Sequence, residues 1–167
     1  MGFLDKLMGL SRSAPITFPI ELGTPAEGTV VTMANIPDAV FSTGVLGRCV
    51  GVDPSAGKVY APVDGRITQL ADTLHAVGME AGGMEILIHV GVDTVEMNGD
   101  GFKGCIKEGQ TVKKGDLLLT MDLGKIAAAG HPATVIMAVT NTDDFAAVEE
   151  ITSGSVQPGS GVLRVSK

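Results

Sequence analysis

The sequence predicts an all-β fold, an antiparallel β-sandwich or partly closed barrel with short peripheral helices. Three observations carry this. The 23 glycines are spread through 167 residues rather than clustered, as expected of many turns and short strands. Short aliphatic runs recur between turn signals such as Asp64-Gly65, Gly82-Gly83, Asn98-Gly99-Asp100-Gly101 and Lys114-Gly115-Asp116. Strand patterns do not alternate with long helical patterns, which excludes a doubly wound α/β sheet.

Along the chain, residues 1–15 form a separate N-terminal segment, and residues 16–167 form a single domain. Phe3, Leu4, Leu7, Met8 and Leu10 stand at helical spacing, with Asp5 and Lys6 off the stripe. So short a helix is marginal alone in water. Two readings remain open: weak membrane-surface contact through residues 1–10, or a tail or strip packed on the body. Gly2 is not a myristoylation site, because Lys6 stands where Ser or Thr is needed. Ser11–Pro15 is a linker. Strands are predicted at residues 16–20, 29–33, 45–52, 58–61, 66–70, 74–79, 84–90, 111–112, 117–122, 134–139 and 161–165. Helices are predicted only at residues 124–129 and 142–148.

Composition narrows the function. Twelve basic against nineteen acidic residues give a net charge of −7, which argues against nucleic acid as a partner. Aromatics are 4% and Trp is absent, so the core must rest on Val, Ile, Leu, Met and Ala. Cys49 and Cys105 show no metal-ligand spacing and read as free buried thiols in a reducing compartment. Neither a signal peptide nor an apolar run of ~20 residues is visible. The expected location is cytoplasmic.

The informative stretch is Asp72–Met97, DTLHAVGMEAGGMEILIHVGVDTVEM. A three-residue loop, Ala81-Gly82-Gly83, pairs Glu80 with Met84 and sets His75 directly opposite His89. Opposed Cβ atoms are ~4.5–5.5 Å apart, and Thr73 shares their face. A two-residue Gly82-Gly83 loop instead opposes His75 to Val90. Sequence does not choose between these registers. A neutral imidazole is a nucleophile and takes a phosphoryl group as a covalent phosphohistidine. A neighbouring imidazole can donate to a phosphoryl oxygen. The competing reading is two structural or surface histidines. His131, before Pro132 in a loop, has no evident partner. A second functional reading is a zinc-dependent hydrolase using His75, His89 and Asp93, since His89 and Asp93 have the form HxxxD. Two close imidazoles would also collect adventitious zinc without being a metal site.

At these residues the sequence resembles the glucose-family enzyme IIA component of the bacterial phosphoenolpyruvate-dependent sugar phosphotransferase system. The matching blocks are Ile36-Pro-Asp-Ala-Val-Phe41, Ala61-Pro-Val-Asp-Gly65, Thr73-Leu-His-Ala76, Glu85-Ile-Leu-Ile-His-Val-Gly-Val-Asp-Thr-Val95, Asn98-Gly-Asp-Gly-Phe102 and Lys107-Glu-Gly-Gln-Thr-Val-Lys-Lys-Gly-Asp116. The resemblance implies a β-sandwich with no bound organic cofactor, only a transient phosphoryl group on His89. It implies that His89 is phosphorylated on Nε2 by the histidine-containing phosphocarrier protein. The group then passes to a cysteine of a sugar-specific IIB domain of a permease. His75 matches the supporting histidine and Thr73 the hydroxyl bonded into the site. Asp38 and Asp93 match carboxylates that face a partner arginine. Val40, Phe41, Leu46, Leu87 and Val95 fall in or beside the matching blocks as an apolar rim for docking. Regulatory target proteins are a further class of partner.

Three departures stand out. Gly47-Arg48-Cys49 replaces the usual Gly-Asp-Gly, the loop between the histidines is one residue shorter than in some members, and Ala71 and Leu87 stand where aromatics are common. Lys107–Asp122 also looks like the Gly-turn hairpin of biotinyl and lipoyl carrier modules, but the modified Lys in Met-Lys-Met or Asp-Lys-Ala is missing.

Overall fold

The structure is a computed structural model that describes residues 15–167; the amphipathic reading of residues 1–10 lies outside them. Fourteen strands among the described residues form three antiparallel sheets. The large sheet has the order β13-β2-β3-β11-β7-β6-β5-β9. Its strands are Ser155–Val156 (β13), Gly28–Val31 (β2), Arg48–Pro54 (β3), Val135–Val139 (β11), Met84–Val90 (β7), Ala76–Ala81 (β6), Gly65–Leu70 (β5) and Thr111–Val112 (β9). One three-stranded sheet contains Ile20–Gly23 (β1), Gly161–Ser166 (β14) and Ala147–Glu150 (β12). The other contains Lys58–Tyr60 (β4), Leu117–Met121 (β10) and Phe102–Gly104 (β8). The expected β-sandwich is present, and it is not closed into a barrel.

Side-chain alternation explains the layering. In β6 and β7, Val77, Met79, Ala81, Met84, Ile86, Ile88 and Val90 are buried. They meet Leu22, Leu163 and Val165 of one small sheet and Val59, Leu118 and Leu119 of the other in one apolar core. The opposite face of the large sheet carries Gly78, Leu87 and His89. There a second, smaller core of Ile36, Phe41, Cys49, Val92, Ile136 and Ala138 gathers, with Leu87 packed against it. All five residues of β11 are buried, because this strand is covered on both faces.

Two short α-helices lie at the periphery: α1, Ala39–Ser42, and α2, Leu123–Ala128. Asp122 caps α2 by accepting from the Lys125 backbone N–H, where a helix was expected. Residues 142–148 instead make a single 3-10 turn, Thr142–Asp144, and then enter β12. Edge pairing with β14 decides this segment's state, through the register Val148↔Val165. The first strand begins at Ile20 rather than at residue 16. Val45 and Leu46 precede β3, in a turn where Gly44 and Gly47 have φ of 75° and 102°. Strands β8, β12 and β13 were not expected. The Lys107–Asp122 segment is not one hairpin: β9 joins β5 and β10 joins β4 and β8. No described helix is long and apolar enough to cross a membrane.

Candidate phosphoryl-transfer site

The site sits on the outer face of β7, above the smaller core. The β6–β7 connection is the two-residue turn Gly82-Gly83, with φ of 56° and 85°. Positive φ at both central residues suits the right-handed twist of a hairpin. A Cβ on Gly82 would lie 2.6 Å from the Ile16 side chain. The register is therefore Ala81↔Met84 and Ala76↔His89, and the three-residue loop favoured for setting His75 opposite His89 does not form. His75 faces Val90 instead, whose N–H donates to the His75 carbonyl at 2.7 Å.

The rings nevertheless meet. Strict alternation would send His75 to the core face with Val77. Leu74, however, has φ of 59°, and its N–H closes a turn onto the Ala71 carbonyl at 2.8 Å. Regular pairing thus begins only at Ala76, which frees His75 from the alternation. The His75 and His89 ring centroids lie 5.5 Å apart, edge to face at 78°. Both side chains are half-buried.

Hydrogen bonds set the two rings to different tasks. His89 Nδ1 is 2.7 Å from the Gly91 carbonyl. A carbonyl only accepts, so Nδ1 carries the proton and the lone pair is on Nε2. Phe41 packs against the same ring, with centroids 5.2 Å apart. His75 Nδ1 lies 2.5 Å from Thr73 Oγ1. With the Thr73 hydroxyl donating, the His75 proton sits on Nε2, available to an incoming oxygen. Burial, and then the neighbouring His89, hold the His75 pKa below 6.5, so the ring is neutral at pH 7.

The fold disfavours protonated His75, so its contribution to stability is full above the unfolded-state value of about 6.5. It is lost as pH falls from there through the lower folded value. Proton NMR titration of the His75 ring should give a midpoint below 6.5; a midpoint at or above that value contradicts this electrostatic picture.

The remaining expected site residues separate into two groups. Asp38 caps α1: its Oδ1 accepts from the N–H groups of Val40 at 2.8 Å and Phe41 at 3.1 Å. Asp93 is exposed, with φ of 59°, and begins the 3-10 turn Thr94–Met97. Val40, Leu46 and Val95 are exposed apolar side chains at 48%, 39% and 47%. Phe41 is 5% exposed, so it supports the His89 ring from beneath rather than forming the rim. Leu87 is half-buried against the smaller core. Sequence reasoning overlooked Val45, the most exposed large apolar side chain among the described residues at 72%. The strand expected over residues 45–52 begins at it, and only the two glycines flanking Val45-Leu46 hint at a turn. Gly91, Thr94 and Thr134, which brace the His89 end of β7, were also not singled out.

The zinc triad is not assembled. Among the described residues, no three His, Cys, Asp or Glu side chains gather to hold a metal ion. His89 Nδ1 is committed to Gly91. His131 does find a partner: its Nε2 lies 3.6 Å from Glu96. Cys105 is exposed, contrary to expectation, while Cys49 is buried. Burial pushes the Cys49 thiol up to about 11, which keeps it unreactive.

Comparison with known proteins identifies the family of the chain. The family model for EIIA 1 of the phosphoenolpyruvate-dependent sugar phosphotransferase system matches residues 20–145. The glucose-specific EIIA component of Bacillus cereus is 41% identical over 156 residues, 93% of each chain. The corresponding protein of Haemophilus influenzae is 34% identical over 168 aligned positions, covering 100% of this chain and 99% of that one. The β-glucoside-specific EIIBCA component of Dickeya chrysanthemi is 41% identical over 136 residues, 81% of this chain. This chain spans only 22% of that larger relative. In the solved structures, the glucose permease IIA of Mycoplasma capricolum superposes with a TM-score of 0.79 at 30% identity, covering 89% of this chain and 96% of that one. The fold and the matches define a phosphotransferase component. The chain belongs to the EIIA 1 family of the phosphoenolpyruvate-dependent sugar phosphotransferase system. It is similar along almost the whole length of two glucose-specific EIIA components.

Proposed function

We propose that this chain carries a phosphoryl group on Nε2 of His89, taken from the histidine-containing phosphocarrier protein and delivered to a cysteine of a sugar-specific IIB domain. The observation that carries the reading is the His89 Nδ1 to Gly91 carbonyl bond, which leaves Nε2 as the nucleophile beside the second imidazole. On uptake, the Nε2 lone pair forms a bond to phosphorus. The donor's N–P bond breaks and its electron pair returns to the donor imidazole. On delivery, the acceptor thiolate bonds to phosphorus and the N–P electrons return to His89. Neither step needs a resident cofactor or a net proton transfer. Phosphoryl transfer asks mainly for in-line positioning and charge stabilisation, and the His75 Nε2–H is placed to supply the second.

The exposed apolar side chains of Val40, Val45, Leu46 and Val95 support docking, and Asp38 and Asp93, two residues along the chain from Val40 and Val95, are carboxylates for cationic side chains of the partner. The fused EIIB and EIIA components in relatives such as that of Dickeya chrysanthemi support a IIB domain as acceptor. A phosphoryl group would add up to about two negative charges at His89, which fits a role in telling phosphorylated from free protein to regulatory targets.

The test is to incubate the protein with phosphoenolpyruvate, enzyme I and the phosphocarrier protein. A single acid-labile phosphoryl mass increment should appear, and peptide mapping should place it on His89. No labelling, or label on His75 or His131, overturns the reading.

A further inference from the structure

We infer that Thr94 is a positioning residue that holds His89 in its reactive tautomer; this rests on the reading of His89 as the phosphoryl acceptor and names a device within that site. Thr94 is 0% exposed, yet it is a polar side chain in a chain whose core is otherwise almost wholly aliphatic. Its Oγ1 donates to the Val90 carbonyl at 2.5 Å. This is the point where β7 ends and the backbone must turn so that the Gly91 carbonyl faces back toward the His89 ring. Gly91 has φ of 83°, which a side chain rarely adopts.

The two halves of the Thr94 side chain act on adjacent peptides. The hydroxyl fixes the Val90 carbonyl. The methyl fills the space over Gly91, where a Cβ would stand 2.4 Å from Thr94 Cγ2. The other side of the turn is fixed by backbone alone: the Gly91 N–H donates to the Thr134 carbonyl at 3.0 Å and the Val92 N–H to the Pro132 carbonyl at 2.9 Å. The Val90 N–H meanwhile holds the His75 carbonyl. The Val90 peptides therefore join both histidines, and Thr94 is the one side chain among the described residues that bonds to their free carbonyl. Release of that carbonyl would leave the turn held only by its two backbone bonds to Thr134 and Pro132, and the Gly91 carbonyl could then shift away from the His89 ring. The Nδ1 proton would lose its acceptor, and His89 would populate the Nε2–H tautomer, which has no lone pair at the attacking atom.

Two substitutions separate the contributions. Thr94→Val keeps the methyl and removes the hydroxyl, whereas Thr94→Ser keeps the hydroxyl. Nitrogen-15 NMR of the imidazoles reports the tautomer without any phosphoryl donor. The unsubstituted protein and Thr94→Ser should show His89 protonated on Nδ1. Thr94→Val should show both tautomers, and phosphorylation by the phosphocarrier protein should slow about tenfold. A folded Thr94→Val protein with an unchanged tautomer overturns the inference. If Thr94→Val does not fold, the other two proteins still decide: an Nε2–H tautomer in the unsubstituted protein, or its appearance in folded Thr94→Ser, overturns the inference equally. Failure of the functional reading is distinguishable, because it would leave the tautomer shift intact while no variant, nor the unsubstituted protein, takes up phosphate.

Discussion

Replacing His89 with alanine is expected to abolish phosphoryl uptake, because no other described side chain can take over the attacking atom. His75 is the nearest imidazole, but its Nδ1 is occupied by Thr73 and its Nε2 carries the proton. In an assay with phosphoenolpyruvate, enzyme I and the phosphocarrier protein, His89→Ala should show no acid-labile label. Labelling at the unsubstituted rate would refute the assignment. His75→Gln is the informative companion. It should still accept the group, since the nucleophile remains. It should deliver the group slowly, by about 10²-fold, the scale of losing one donor to a transferring oxyanion. Uptake should suffer less if, as proposed, the phosphocarrier supplies cationic side chains of its own to the transferring group. Equal loss in both directions would assign His75 a role in holding His89 rather than in transfer.

Gly91→Ala should damage both the stability of the domain and the chemistry of the site. The backbone there has φ of 83°, and left-handed backbone costs an L-residue about 1–2 kcal/mol. The new Cβ would also meet Thr94 Cγ2 at 2.4 Å and the Pro132 carbonyl oxygen at 3.2 Å. Thr94 is buried and cannot swing away, so overpacking adds about 1–3 kcal/mol. The sum is roughly 2–5 kcal/mol, or a fall in Tm on the order of 4–20 °C for a domain of this size. The displaced Gly91 carbonyl should also lose its bond to His89 Nδ1. Thermal unfolding and imidazole NMR of the same sample check both parts. Gly109→Ala, also at positive φ but with nothing within 4 Å of the new Cβ, separates the backbone cost from the clash. Equal losses at the two positions would show that packing around Gly91 contributes nothing.

Much of the fold was legible because strand alternation in a two-faced sheet is a local property of the chain. Strands β7 and β9 run from Met84 to Val90 and from Thr111 to Val112, as the sequence reading had them. Helix α2 lies within a residue of its expected span, since Asp122 marks its start. The segment after Asn141 was misread because helix propensity there is local while the competing β12–β14 pairing is not. Phe41 was read as part of an exposed rim because an apolar residue beside Val40 looks the same in sequence whether it faces partner or core. The α1 turn capped by Asp38 decides that Phe41 points inward and Val40 outward.

By itself, the chain's order of residues determined the class of fold, the pair of histidines and the kind of chemistry such a pair performs. The fold class and the pair follow from residue type and short-range spacing, and the chemistry from the resemblance of the blocks around them to a known family. Which way each imidazole points was decided only by the tertiary structure. The Gly82-Gly83 turn selects a pairing that opposes His75 to Val90, and the left-handed Leu74 then undoes the consequence by ending the strand one residue before alternation would bury His75. Leucine at positive φ is costly and leaves no mark in a sequence; it persists here because contacts distant along the chain outweigh that local preference.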